Sequence, residues 1–195
     1  MTVTLDWFGC TTYRLNIDGL VVFLDTFMDR LSSAPDVGAT SAYITEADFA
    51  MIGHSHMDHL AGADVIAKNT GAHIIGSHET VRVLFEAGVP TDQLLLSAGG
   101  EKYQLNDDVS VRVFPSLHSC IWSNSEPAGV RVLGDLGVSQ QERNARLARR
   151  FGRDRDADLP TELVAESKAL RVRNIGSDSD GGALDYLIDT PDGTI

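Results

Sequence analysis

The chain has 195 residues, 43% of them hydrophobic and 23% charged, which is the composition of an ordinary globular domain with one substantial core. Its net charge of −12 argues against nucleic acid as a partner. The longest aliphatic or aromatic run, Leu20 to Leu24, is far too short to span a bilayer.

The opening residues carry no basic segment leading into a long apolar stretch, so no secretory signal is expected. Val3 to Phe8, Thr12 to Ile17 and Leu20 to Leu24 read as three consecutive strands, with Asp18-Gly19 as a hairpin turn between the last two. Ala50 to Gly53 is a short buried strand. From Leu60 to Asn69 the pattern turns helical and stops at Gly71, which places Asp58 and His59 at or near that helix's first turn. His73 to Gly76 is another strand. Ser77 then caps a helix with Val81, Leu84 and Phe85 at i, i+3 and i+4, ended by Gly88 and Pro90. Val109 to Phe114 alternates as a strand and leads through Pro115 to His118.

Beyond this point the character changes. Ser139 to Glu142 is a capping box that opens a helix to about Phe151, and a second helix covers Thr161 to Val172. Residues 139–174 hold nine of the sixteen Lys and Arg against six acids, so this insert is +3 while the remainder is −15. Arg143, Arg146, Arg149, Arg150, Arg153 and Arg155 either attract an anionic substrate or partner surface, or form a solvated helix face. The thin apolar stripe (Leu147, Phe151) puts the insert on the surface or against a second subunit. At the end, Tyr186 to Ile195 echoes Tyr13 to Val22: a strand, an Asp-Gly turn and a return strand. The echo suggests a duplicated architecture cut off inside its second half, because the second return strand stops two residues past its turn.

The chemistry is concentrated in Gly53-His54-Ser55-His56-Met57-Asp58-His59, directly after the Ala50 strand. Four metal-competent side chains within six residues are hard to explain as packing, and imidazoles beside a carboxylate favour a hydrolytic site over a closed structural one. Two distant cysteines, Cys10 and Cys120, provide neither a structural zinc site nor a disulfide framework, and they fit a reducing cytoplasm. His73 and His78 fall outside the spacing pattern and read as structural, His78 with an option of lining the pocket. Cys120, Trp122 and Glu126 could shape a cleft, with Trp122 more simply a packing anchor. No G-x-S-x-G elbow or Ser-His-Asp arrangement points to covalent catalysis.

An H-x-H-x-D-H array after a strand, followed some sixty residues later by a lone His after another strand, resembles the metallo-β-lactamase superfamily. Trp7 to Leu15 and Leu24-Asp25 look like the opening of its lactonase-like branch, which contains ascorbate-6-phosphate lactonase and N-acylphosphatidylethanolamine phospholipase D. The resemblance implies an α/β fold, an αββα sandwich whose second half is incomplete here. The chain is then a single domain, residues 1–195, truncated at its C-terminus, with a helical insert at about 139–175. It further implies that His54, His56 and His118 bind a first metal, and that Asp58 and His59 bind a second. Asp25 is either a supporting acid or a turn residue. Relatives often carry Gly-His where this chain has Gly9-Cys10, so a polar contact there is doubtful. The family's final His has no counterpart, since His118 is the last histidine, and Asp178, Asp180, Asp185 and Asp189 all precede the turn and are poor candidates for its bridging Asp.

The expected function is a cytoplasmic metal-dependent hydrolase acting on a lactone, ester or phosphodiester. It would use two divalent ions, zinc by default with manganese or iron as options. In that role Asp58 both holds a metal and orients the attacking water. The substrate is then a small molecule, anionic in one reading, and the helical insert offers a route to a homo-oligomer. Two other readings stand beside it: an inactive fragment or metal-binding module, and, more weakly, an RNA-processing nuclease.

Overall fold

A computed structural model describes residues 1–118 and 159–195. The expected helix from Ser139 to about Phe151, the six arginines between Arg143 and Arg155, and Cys120, Trp122 and Glu126 lie outside the described residues. The chain divides into two compact units, Met1–His118 with Lys168–Ile195, and Ser119–Ser167.

The first unit begins as an antiparallel meander of β1 (Val3–Trp7), β2 (Tyr13–Ile17) and β3 (Leu20–Leu24), with Leu5 opposite Leu15 and Leu15 opposite Val22. Asp18 and Gly19 turn between β2 and β3 with φ of 48° and 97°, the paired left-handed conformation that suits a tight hairpin. The sheet then becomes parallel through β4 (Phe49–Met51), β5 (His73–Gly76) and β6 (Leu94–Leu96), giving six strands in chain order. Helices α1 (Met57–Leu60), α2 (Ala63–Thr70) and α3 (His78–Glu86) lie in the connections. A second, wholly antiparallel sheet has the order β10-β9-β8-β7, built from β7 (Lys102–Gln104), β8 (Ser110–Ser116), β9 (Ala183–Thr190) and β10 (Gly193–Thr194).

Strand alternation sorts the apolar residues into two cores. Val21, Phe23, Ala50, Ile52 and Ile74 join Leu60, Ile66 and Leu84 on the helical face of the first sheet. Leu15, Val22, Met51 and Ile75 meet Val111, Val113, Leu184 and Ile188 between the two sheets. The architecture is therefore mixed α/β: helices, sheet, sheet. β9 and β10 form a hairpin as β2 and β3 do, but its two turn residues are Pro191 and Asp192, with Gly193 already paired to Thr190, whereas β2 and β3 turn at Asp18 and Gly19. The helix expected from Thr161 is present as Thr161–Arg173.

Two local expectations need correction. The single helix from Leu60 to Asn69 is two helices, broken at Gly62, whose φ of 92° no helix accommodates. A Cβ at Gly62 would stand 2.9 Å from both Ser41 Cβ and Thr26 O, so close packing fixes the break there. As a result Asp58 and His59 sit in a separate single turn, α1, with its own orientation. In α3 the buried residues are Thr80, Val83 and Leu84, while Phe85 is 58% exposed; the apolar spacing was right but the buried face is rotated by one position. Ser77 caps α3 by accepting from the Thr80 amide.

Tyr186 ties the layers together across the inter-sheet core. Its hydroxyl donates to Ile52 O at 2.8 Å and lies 3.1 Å from Ile75 O, which also accepts from Ile52 N–H, so a β9 side chain satisfies the carbonyl just beyond β4. Burial pushes the phenol well above its usual range and keeps it a donor. Tyr186→Phe is expected to lower the urea midpoint with an unchanged denaturant slope, a loss of about 1–2 kcal/mol for an unmet buried carbonyl.

Candidate metal centre

β4 ends at Met51, and the short bent segment that follows it, Gly53–His56, carries the first two imidazoles. Ser55 points inward and is fully buried, its Oγ within 3.3 Å of both Ser77 Oγ and Thr80 Oγ1 and donating to Asp180 O at 3.0 Å. The imidazoles on either side of Ser55 in the chain come together, His54 Nε2 lying 3.1 Å from His56 Nδ1. The backbone of this segment is strapped from outside. Leu184 N–H donates to Gly53 O at 2.8 Å, Ser55 N–H to Asp180 O at 3.0 Å, and Ser177 N–H to Ser55 O at 2.8 Å.

The two projecting imidazoles meet a third, His118, delivered by the end of β8. His56 Nδ1 lies 3.1 Å from His54 Nε2 and 3.1 Å from His118 Nε2. The three rings stand nearly perpendicular to one another, at 79°, 86° and 77°. One nitrogen lone pair cannot accept well from two ring N–H groups at once, whereas a shared cation satisfies all three. A tetrahedral ion with metal–nitrogen bonds of about 2.0–2.1 Å separates its ligands by roughly 3.3 Å, close to what the nitrogens show. The donor set thus fits a divalent metal.

A second group, His54, Asp58 and His59, also brings its ligand atoms within 4.8 Å of one another. Here Asp25 acts. Held at φ 52° just after β3 and 7% exposed, it accepts from Gly53 N–H through Oδ1 at 2.8 Å and faces His59 Nδ1 through Oδ2 at 2.6 Å. A carboxylate at that distance fixes the proton on Nδ1 and leaves Nε2 as the free ligand atom. The alternative left open by the sequence, supporting acid or turn residue, resolves as both at once. Thr26 fastens α1 from beneath, its N–H donating to His59 O at 2.9 Å and its hydroxyl to Leu60 O at 3.2 Å.

Electrostatics follow from this crowding. Burial, with the neighbouring imidazoles His59, His56 and His118 adding to it, depresses His54 to about 4, so it is the neutral imidazole a metal requires. Burial would lower His59 as well, but the hydrogen bond and charge of Asp25 outweigh it and raise the ring above its ordinary value.

All five side chains anticipated as ligands are brought together. His73 and His78 are not among them; both are exposed, and His73 stacks on Phe49 with ring centres 5.6 Å apart. Cys10 is exposed, with Sγ 3.9 Å from Asp58 O. Sequence reasoning missed Ser55, Thr26 and the Ser177–Leu184 strap. A small polar residue between two histidines was the one available signal for Ser55.

The family described as "Beta-lactamase superfamily domain" matches residues 21–143. The chain is 30% identical over 135 residues to a UPF0173 metal-dependent hydrolase from Pyrobaculum calidifontis, covering 69% of this chain and 58% of that protein. It is 32% identical over 133 residues to a protein of the same name from Pyrobaculum arsenaticum, covering 68% and 57%. A solved metallo hydrolase from the archaeon Ignicoccus hospitalis aligns with 24% identity and a TM-score of 0.48, over 60% of this chain and 50% of that one. The matched part of the chain thus spans 58% and 57% of its two curated relatives.

Two outcomes follow from the geometry. Asp25→Asn should weaken metal binding about 10–100-fold without unfolding the protein, as measured by competition with a chromogenic chelator. For the metal-free protein, the unfolded chain takes up the His54 proton near pH 6.5 and the folded chain only near 4. Stability therefore falls as pH drops through that interval. His59 acts in the opposite sense, its contribution being complete at low pH and lost as pH rises through its raised folded value. Urea midpoints in chelator should show His54→Gln removing the acid loss, and identical pH curves for variant and wild type would exclude the assignment.

Proposed function

The chain belongs to the β-lactamase superfamily, and on that premise we propose that it is a metal-dependent hydrolase whose centre is formed by His54, His56, Asp58, His59 and His118. The observation that carries the reading is the meeting of His54 Nε2, His56 Nδ1 and His118 Nε2 at 3.1 Å spacings. Two divalent ions, zinc by default, fit a donor set of imidazoles and one carboxylate. Names borne by the relatives, metal-dependent hydrolase in both cases, agree with this.

A divalent ion bound there would polarise a carbonyl or phosphoryl oxygen and acidify water. The protein's own part is orientation. Asp58 is the exposed member of the cluster, so its carboxylate both completes the second ligand group and accepts a hydrogen bond from the attacking water. Asp25 holds His59 in one tautomer, and the Ser55 anchor holds His54 and His56 in register. The substrate class we assign is a lactone, ester or phosphodiester, each having an electrophilic centre with an oxygen leaving group. The site lies in a chain with no helix, among the described residues, long and apolar enough to cross a membrane.

One observation favours a second reading, a metal-binding module without turnover. Asp58 is the one carboxylate grouped with the imidazoles among the described residues. Elemental analysis alongside a panel of lactones and phosphodiesters separates the two. His56→Ala and Asp58→Ala should each remove metal and lower turnover at least a hundredfold, together and in proportion. Turnover that survives both substitutions refutes the hydrolase reading; bound metal with no turnover in the wild type supports the module.

A further inference from the structure

Arg30 is a half-buried cation in the loop after β3, and its guanidinium donates to Phe8 O at 2.9 Å. It rests against Gly9 so closely that a Cβ there would sit 2.4 Å from one terminal nitrogen and 2.8 Å from the central carbon. Gly9 and Cys10 are successive left-handed residues, with φ of 81° and 52°. For a non-glycine residue such as Cys10 this conformation is unfavourable, so surrounding contacts must enforce it. Those contacts are present. Trp7 Nε1 donates to Cys10 O at 3.0 Å, Phe8 N–H to Thr12 O at 2.9 Å, Thr12 N–H to Gly9 O at 3.1 Å, and Arg30 closes the turn from the other side.

This strained turn faces one half of the cluster. Cys10 Sγ lies 3.9 Å from Asp58 O, and Thr11 Oγ1 lies 3.3 Å from His59 Nδ1. Among the described residues no hydrogen bond joins it to His54 or His56, which the Ser55 anchor positions independently.

We propose that Arg30 is a positioning residue for the second metal: it clasps the Phe8–Thr12 turn against α1 and so sets the place of Asp58 and His59, leaving the three-imidazole group alone. The inference rests on the metal-centre reading given above. Lysine in its place keeps a donor for Phe8 O but loses the flat surface that Gly9 accepts.

Calorimetric titration of the chelator-stripped full chain with zinc tests it, using wild type, Arg30→Met and Arg30→Lys. The expected result is two equivalents in the wild type, with Arg30→Met weakening one of them about tenfold or more while the other is unchanged. Arg30→Lys should fall between. Equivalents that stay as in wild type, or that weaken together, overturn the proposal. A wild type that takes up no zinc sinks the metal-centre reading instead. Arg30 is then judged on the amide spectrum of the metal-free protein, where Arg30→Met should shift Cys10, Thr11, Asp58 and His59 but not Ser55. Unmoved Asp58 and His59 amides overturn the proposal whatever the zinc result.

Discussion

The candidate centre depends on one constraint, the anchoring of the Gly53–His56 segment through the buried Ser55. Ser55 is buried among Ser77, Thr80 and Asp180 O, and with its hydroxyl fixed there the imidazoles on either side of it meet at 3.1 Å. A slip of one residue would take the Ser55 hydroxyl out of that cluster and move the nitrogens from their meeting point. The hydroxyl cluster resists that slip because each buried oxygen has its partners within reach, and a displaced arrangement would leave them unmet.

Every other element bears on that run from a different side. Asp25 grips its first amide and, through its second oxygen, the ring of His59, so a single carboxylate couples the segment to α1. The segment between Ser177 and Leu184 closes its outer edge, and Tyr186, two residues further on, seals the ends of β4 and β5 behind it. The second sheet is thus part of the scaffold of the centre as well as a cover for the core. His118 adds the same lesson: β8 belongs to that sheet, and its end supplies the third imidazole.

Much of this was legible from residue order. Three short strand-like runs located the meander, the alternation of Val109, Val111 and Val113 located β8, the Asp-Gly pairs marked both hairpins, and the density of imidazole and carboxylate in Gly53–His59 pointed to the candidate site. What stayed hidden was set by partners distant in the chain. Ser55 looks like a spacer until Asp180 and Ser77 are seen around it. The break at Gly62 comes from the approach of Ser41 and Thr26, which no local pattern announces. In α3 two adjacent faces were almost equally apolar, and packing on the first sheet chose Val83 over Phe85. Asp25 was ambiguous for a better reason: its left-handed backbone is a turn, and the turn is what aims its carboxylate.

The link between Ser55 and Asp180 spans 125 positions of the chain. At about 5–20 residues per second, a ribosome needs on the order of ten seconds to make that stretch. During this interval the Ser55 amide and hydroxyl lack the Asp180 carbonyl as a partner. The brace on this segment is therefore completed only after most of the chain has been made.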